Sequence, residues 1–253
     1  MATVATSQPT ETAPQESTQG HSQTDVVLQG IKSMITSGEL GPGSRLPIEK
    51  DLAISLGVSR GSLREGVRAL CIMGVLETRQ GDGTYVTSLD SSLLLAPMGF
   101  MIDLQTPEHR HDLHSVRRVL EAEAAARAAL YITDEQLAAA TTVLSDVEPL
   151  VRAGEDLDHE AILDADIAFH HIVAHGSNNS ALAALIDALA NRTSQARLWL
   201  GLHNHDQVRN AHGEHLAILA ALRARQPDRA RLMMDHHLLV VEDSLNDAAA
   251  ESN

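Results

Sequence analysis

A chain of 253 residues has room for two modest domains, and its abundant alanine with only 2% aromatic residues favours helix over strand. A single cysteine excludes a disulfide framework and a cysteine-rich zinc site; with no apolar run of membrane-spanning length and no basic-then-apolar leader, the expectation is a soluble cytoplasmic protein. The net charge of −15 excludes a broad positive field, but it is unevenly spread: residues 25–88 balance seven Lys/Arg against seven Asp/Glu, and residues 89–253 carry −13.

Residues 1–24 are rich in Ser, Thr, Gln, Pro and Glu and lack Leu, Ile and every aromatic. Such a segment cannot bury enough apolar surface to order itself and reads as a disordered tail. A helix is expected from Asp25 to about Ser37, with Val27, Leu28, Ile31, Met34 and Ile35 on one face. Gly38 ends it, and Gly41-Pro42-Gly43 turns the chain. A second helix starts near Pro47.

Ala53, Gly57 and Leu63 then fall at helix-turn-helix spacing: a small residue for close approach, a glycine for the turn, an apolar anchor. On the following helix, to about Met73, Leu63, Val67, Leu70 and Cys71 share the inward face, and Cys71 reads as core. Arg60, Ser62, Arg64 and Arg68 face outward, residue types that grip phosphates and read base edges in a major groove. Val75–Arg79 and Thr84–Thr87 read as short strands joined through Gly81-Asp82-Gly83, a wing that completes a DNA-binding unit over residues 25–88.

Residues 89–106 show no clear period and read as a linker with room for a short apolar helix around Leu93 to Met101. Beyond it, helices are expected over 110–131, 134–153, 158–175, 179–202, 206–224 and 227–247. Thr133, Asp158 and Asn178 or Asn179 are start signals; Gly154, Gly176 and Pro227 are breaks. Short loops make neighbours antiparallel, so residues 107–247 form a bundle and 248–253 a tail. The fold class is mainly α: a winged helix-turn-helix followed by an all-α antiparallel helical bundle.

Thirteen of the fourteen histidines lie beyond residue 100. Asp166 and His170 are four apart and share a helix face. His215 follows Glu214 on a later helix, and His236 and His237 lie on the last. One carboxylate and three imidazoles from facing helices can hold a divalent transition metal inside a bundle, with a position open for a ligand oxygen.

Two stretches resemble known families. Gly38-Glu39-Leu40-Gly41-Pro42-Gly43-Ser44-Arg45-Leu46-Pro47, Val58-Ser59-Arg60, Leu63-Arg64-Glu65 and Gly83-Thr84-Tyr85-Val86 together are similar to the winged helix of GntR-family transcription regulators. The resemblance implies DNA contacts from Lys50, Ser59, Arg60, Ser62 and Arg64, with Gly81 and Gly83 shaping the wing tip. Three positions depart from the family's habit. Lys50 stands where arginine is usual and loses any bidentate contact. Ile48 replaces a serine and removes a helix cap worth roughly 0.5–2 kcal/mol. Asp82 puts a negative charge at the wing.

Asp166-Ile167-Ala168-Phe169-His170, Glu214-His215-Leu216 and His237-Leu238 resemble the FCD effector domain of the FadR-like branch of that family. Arg117-Arg118-Val119-Leu120-Glu121 and Ser177-Asn178-Asn179-Ser180 extend the likeness across residues 107–245. Members with Asp and three His in these places bind a metal, and many sense small carboxylates. The resemblance thus implies Asp166, His170, His215 and His237 as metal ligands, with zinc first and nickel, manganese or iron open. It implies Arg117 as the clamp for an effector carboxylate, which a guanidinium fits bidentately. His236 is an alternative to His237, although the following leucine favours His237. His212 is a candidate for the same cavity, and Arg118 and Arg197 are alternative anion contacts. His171 and His175 read as a packing or dimer-surface pair.

The expected function is a homodimeric transcription regulator, a repressor, binding a pseudo-palindromic double-stranded operator and modulated by a small organic or sugar acid, with no enzymatic activity and no membrane partner. The alternatives are a regulator that answers to the metal itself and a metal-dependent hydrolase fused to a DNA-binding module.

Overall fold

Ser22 and Asp25 open the first helix by capping each other. In the computed structural model, which describes residues 22–103, 107–152, 158–189 and 205–251, α1 (Gln23–Thr36) starts where the Ser22 hydroxyl accepts from the Asp25 amide and the Asp25 carboxylate accepts from the Ser22 amide. Two amide protons that a helix start leaves unpaired are thereby satisfied. The helix begins two residues before the expected Asp25. The expected tail lies outside the described residues up to residue 21.

α2 (Glu49–Leu56) starts two residues after Pro47, because Ile48 stays extended and offers no side-chain cap. Gly57 closes it at φ 66°, the left-handed conformation that glycine adopts without strain. α3 (Arg60–Ile72) is capped by Ser59, whose hydroxyl accepts from the Ser62 amide at 3.0 Å. Gly66 sits in mid-helix against α1; a Cβ there would lie 2.5 Å from Val27 Cγ1, so the glycine lets the two helices close. β1 (Leu76–Arg79) and β2 (Gly83–Val86) pair antiparallel, Leu76 opposite Val86 and Arg79 opposite Gly83. Val27, Ile31, Leu52, Leu63, Leu70, Leu76 and Val86 form the core beneath. Cys71 and Val67 are only partly buried, at its rim. Cys71, expected in the core, packs against it from the rim.

α4 (Ser91–Asp103) takes up most of the expected linker and contains the short apolar helix expected around Leu93 to Met101. Its first turn is seated against the turn between α3 and β1: a Cβ on Gly74 would lie 2.3 Å from the Leu93 carbonyl oxygen. Leu93, Leu94 and Met98 remain exposed, which explains why the segment shows no apolar period.

The remaining helices are α5 (Pro107–Tyr131), α6 (Asp134–Arg152), α7 (His159–Gly176), α8 (described over 180–189), α9 (His205–Arg223) and α10 (Pro227–Glu251). The start signals act as expected. Thr133 and Gln136 cap each other, Asp158 accepts from the Ala161 amide, and Asn179 accepts from the Leu182 amide. α10 runs four residues past the expected end at 247, and the expected span 190–202 lies outside the described residues. α5 is the central helix and packs on α7, α9 and α10. Its buried Ala122, Ala124, Ala125, Ala126, Ala128 and Ala129 present almost no side chain, so three helices can approach it closely. Phe169, Leu144, Ile218, Leu222 and Met234 fill the space that this leaves.

Candidate metal centre and nucleic-acid interface

One turn of α7 separates Asp166 from His170; α9 supplies His215 and α10 supplies His237. The four offer ligand atoms that all lie within 4.8 Å of one another. Asp166 Oδ1 is 3.8 Å from His170 Nε2 and 3.5 Å from His215 Nε2, and His215 Nε2 is 3.1 Å from His237 Nε2. Metal–nitrogen bonds of about 2.0–2.1 Å in tetrahedral geometry place neighbouring ligand atoms about 3.3 Å apart, so these separations suit one shared ion.

The opposite ring atoms explain why the Nε2 atoms face inward. His237 Nδ1 lies 2.7 Å from Glu214 Oε2, and His170 Nδ1 is hydrogen-bonded to Glu121 Oε2. A carboxylate that accepts a hydrogen bond from Nδ1–H fixes the tautomer, turns the ring and leaves the Nε2 lone pair for a metal. His170 Nε2 is buried and has no hydrogen-bond partner among the described residues. A buried polar atom in that state fits an ion, which would take up the lone pair. All three histidines are buried, and Phe169 packs against the His215 ring at 4.8 Å.

Arg117 stands behind this centre. It is fully buried, and its Nε donates to Glu121 Oε1, so Arg117, Glu121 and His170 form one line of contacts. Burial alone would raise the Glu121 pKa, but the charges of Arg117 and His170 outweigh it and bring it down to about 2. Burial lowers the His170 pKa, against the pull of Glu121. Arg117, which the sequence offers as the clamp for an effector carboxylate, thus turns its Nε to Glu121.

The cavity that opens on the centre has a volume of about 150 Å³, and Arg117 is not among its lining residues. Leu144, Val147 and Val151 of α6, Ile162 and Leu163 of α7, Val208 of α9, and Val240 and Val241 of α10 make apolar walls. Asp166, His215 and His237 stand at the metal end. His212, one turn before His215, also lines the cavity; its Nε2 is buried with no hydrogen-bond partner among the described residues. Burial lowers the His212 pKa, opposed by the charge of Glu148.

The other candidates separate clearly. His236 is exposed and 4.0 Å from Glu214, outside the cluster. Arg118 is engaged by Asp235 at 2.8 Å and Glu242 at 3.2 Å. Arg197 lies outside the described residues. His171 and His175 grip one carboxylate, Asp187 of α8, each at 2.9 Å on the surface. Glu121 is the partner that sequence reasoning misses. Its signals are its place four residues after Arg117 on the same helix face and at the end of the Arg117–Glu121 stretch that resembles the FCD domain.

On the winged helix, Lys50 and Arg60 are exposed. Arg64 forks onto Glu49 of α2 through Nε and Nη2, at 2.9–3.2 Å. That bond to Arg64 holds the Glu49 carboxyl below its ordinary pKa. Ser59 and Ser62 are bonded to each other and to Gln23 at the start of α1. At the wing, Gly81 has φ 75° and Gly83 φ 155°. Asp82 accepts from the Tyr85 hydroxyl at 2.7 Å and pairs with Arg45, so its charge is partly neutralised inside the wing.

Residues 23–86 match the family described as "Bacterial regulatory proteins, gntR family", and residues 112–239 match the FCD domain. Over 218 residues the chain is 31% identical to the HTH-type transcriptional regulator LutR of Bacillus subtilis, spanning 84% of this chain and 96% of that protein. It is 28% identical over 235 residues to the Glc operon transcriptional activator of Escherichia coli, spanning 90% and 91%. It is 30% identical over 220 residues to the HTH-type transcriptional repressor NanR of Klebsiella aerogenes, spanning 85% and 82%. Among solved structures it is similar to Streptococcus agalactiae GntR, with a TM-score of 0.62 and 29% identity over 87% of this chain and 99% of that one. The named relatives regulate transcription, as activators and as repressors, which sets the hydrolase alternative aside.

Proposed function

The chain belongs to the GntR family of bacterial regulatory proteins and carries the FCD domain of that family, and from this premise we propose a homodimeric repressor whose grip on its operator is released by a small organic acid. Arg60 and Arg64 of α3 enter the major groove, Lys50, Ser59 and Ser62 meet the backbone, and the wing around Gly81 and Gly83 follows it. A two-fold dimer presents two such units to a pseudo-palindromic site. The exposed Val116 and Val119 on α5, and Leu93 and Leu94 on α4, support a second copy as the partner that covers them.

The observation that carries the effector site is the convergence of three imidazole Nε2 atoms and Asp166 Oδ1, with two of the rings oriented by Glu121 and Glu214. A divalent transition ion held by Asp166, His170, His215 and His237, zinc first, supplies an open position for a carboxylate oxygen when bound. Arg117 keeps Glu121 ionised, and Glu121 keeps His170 in register. An acid lodged in the cavity touches α7, α9 and α10 at once. It acts on DNA binding only by favouring one arrangement of the dimer over the other.

The test is His215→Ala in the full-length protein. Operator binding of the metal-free variant equals that of the metal-free wild type, while uptake of Zn²⁺ and any response of the DNA complex to added acids are lost. Loss of operator binding in a folded dimer would overturn this division of labour.

A further inference from the structure

The cavity beside the metal centre is chemically lopsided. Its walls on α6, α7, α9 and α10 are aliphatic: Leu144, Val147, Leu163, Val208, Val240 and Val241. Away from the metal end, Gln207 Nε2 donates to Ser244 Oγ at 3.2 Å, and Ser244 Oγ donates to the Val240 carbonyl. Those polar groups satisfy one another. His212 Nε2 remains, buried against the cavity and without a partner among the described residues. Asn210, also in the lining, is exposed at the solvent side, and the half-buried His159 at the start of α7 lines the cavity too.

Resting on the proposed effector site, we infer that the acid recognised there has an apolar body, as a branched aliphatic or aromatic monocarboxylate does. A second oxygen on that body, hydroxyl or keto, bonds to His212. The volume agrees: an apolar cavity of about 150 Å³ accepts a benzene-sized molecule. A polyhydroxylated sugar acid of the same size would bring several hydroxyls to aliphatic walls, and each hydroxyl buried without a partner weakens binding. His212 and His215 are three residues apart on one helix face, about 4.5 Å along its axis. This sets the oxygen held by His212 one short reach from the carboxylate, as in a 3-hydroxybenzoate. The class excludes the sugar acids that the sequence left open.

The experiment is calorimetric titration of Zn²⁺-loaded full-length protein with benzoate, 3-hydroxybenzoate, 3-methylbutanoate and glucuronate, repeated for His212→Ala and His212→Gln. Benzoate and 3-methylbutanoate are expected to bind at least about ten-fold more tightly than glucuronate, and 3-hydroxybenzoate about five-fold more tightly than benzoate. His212→Ala brings the ratio of 3-hydroxybenzoate to benzoate affinity near one, and His212→Gln, which keeps a hydrogen-bonding group, restores part of it. Glucuronate binding as tightly as benzoate overturns the inference and leaves the proposed effector site standing. An unchanged ratio in a folded His212→Ala protein removes His212 from recognition. Failure of the wild type to hold Zn²⁺, or to bind any of the four acids while holding it, overturns the inference and the proposed site together.

Discussion

Beside exposed pairs such as Arg152–Glu148 and Arg231–Glu123, the bundle holds an ion pair in surroundings that no pair described on the winged helix has. On the winged helix, Arg64–Glu49, Arg79–Glu77 and Arg45–Asp82 all keep about half or more of their side-chain surface in water. In the bundle, Arg117, Glu121 and His170 stand in a row with almost none exposed. An exposed pair is weak, screened by salt and exchangeable, so a phosphate or a guanine edge can take over its arginine. A buried pair cannot be exchanged without leaving a bare charge in a poor solvent, so it fixes positions instead. On the proposed reading, the solvent around a guanidinium, more than its sequence neighbours, separates an arginine that reads DNA from one that holds the fold.

That contrast is broken or sharpened by substitution on each side. Arg117→Ala is expected to have the largest effect on folding: it strands the Glu121 carboxylate and costs about 3–5 kcal/mol of unfolding free energy, measured by urea denaturation. A cost under about 1 kcal/mol would mean that water reaches Glu121 and that the bundle pair resembles the surface ones.

Glu121→Gln tests the positioning role with less damage to the core. It keeps the shape but donates where a carboxylate accepts, so Zn²⁺ affinity in competition with a chelator should fall about 10–100-fold. Unchanged affinity would detach Arg117 and Glu121 from the metal centre.

Arg64→Ala is the surface counterpart. Operator affinity should fall about ten-fold or more while the denaturation midpoint stays where it was. The reverse pattern would make Arg64 a structural residue. Its partner titrates in a definite direction: the Glu49 pKa is lowered by the Arg64 hydrogen bond, so the pairing is complete above the ordinary carboxylate pKa and is lost as pH falls through the lowered value.

The smallest effect expected is a gain. Ile48 caps α2 with no side-chain hydrogen bond, so Ile48→Ser should stabilise the winged helix by about 0.5–2 kcal/mol in thermal unfolding. No gain would show that the exposed Ile48 side chain has a contact worth as much as the cap.

Much of this architecture is legible in the residues because it is local. Gly57 at the turn, Thr133 with Gln136, Asp158 and Asn179 mark their helix ends through contacts within three residues. Asp166 and His170 declare a shared face by spacing alone. What escapes depends on packing. The Ser22–Asp25 cap is present in the letters, but a reading that assigns residues 1–24 to a tail passes over it. The full extent of α4 escapes, though not its existence, because several of its apolar residues are exposed and leave no period. The charge of Arg117 is legible, whereas its direction depends on Glu121 meeting His170 across 49 positions of sequence. The aliphatic walls of the cavity come from four helices and acquire meaning only once those helices are assembled.

The most direct measurement is the metal content of full-length protein purified without chelator or histidine tag, beside His215→Ala and His171→Ala. The account predicts roughly one divalent transition ion per chain in the wild type and in His171→Ala, and none in His215→Ala. No ion in the wild type, even after incubation with Zn²⁺, would contradict it. So would an ion that survives His215→Ala and disappears with His171→Ala, because the metal would then belong to the exposed His171–His175–Asp187 trio and not to the buried centre.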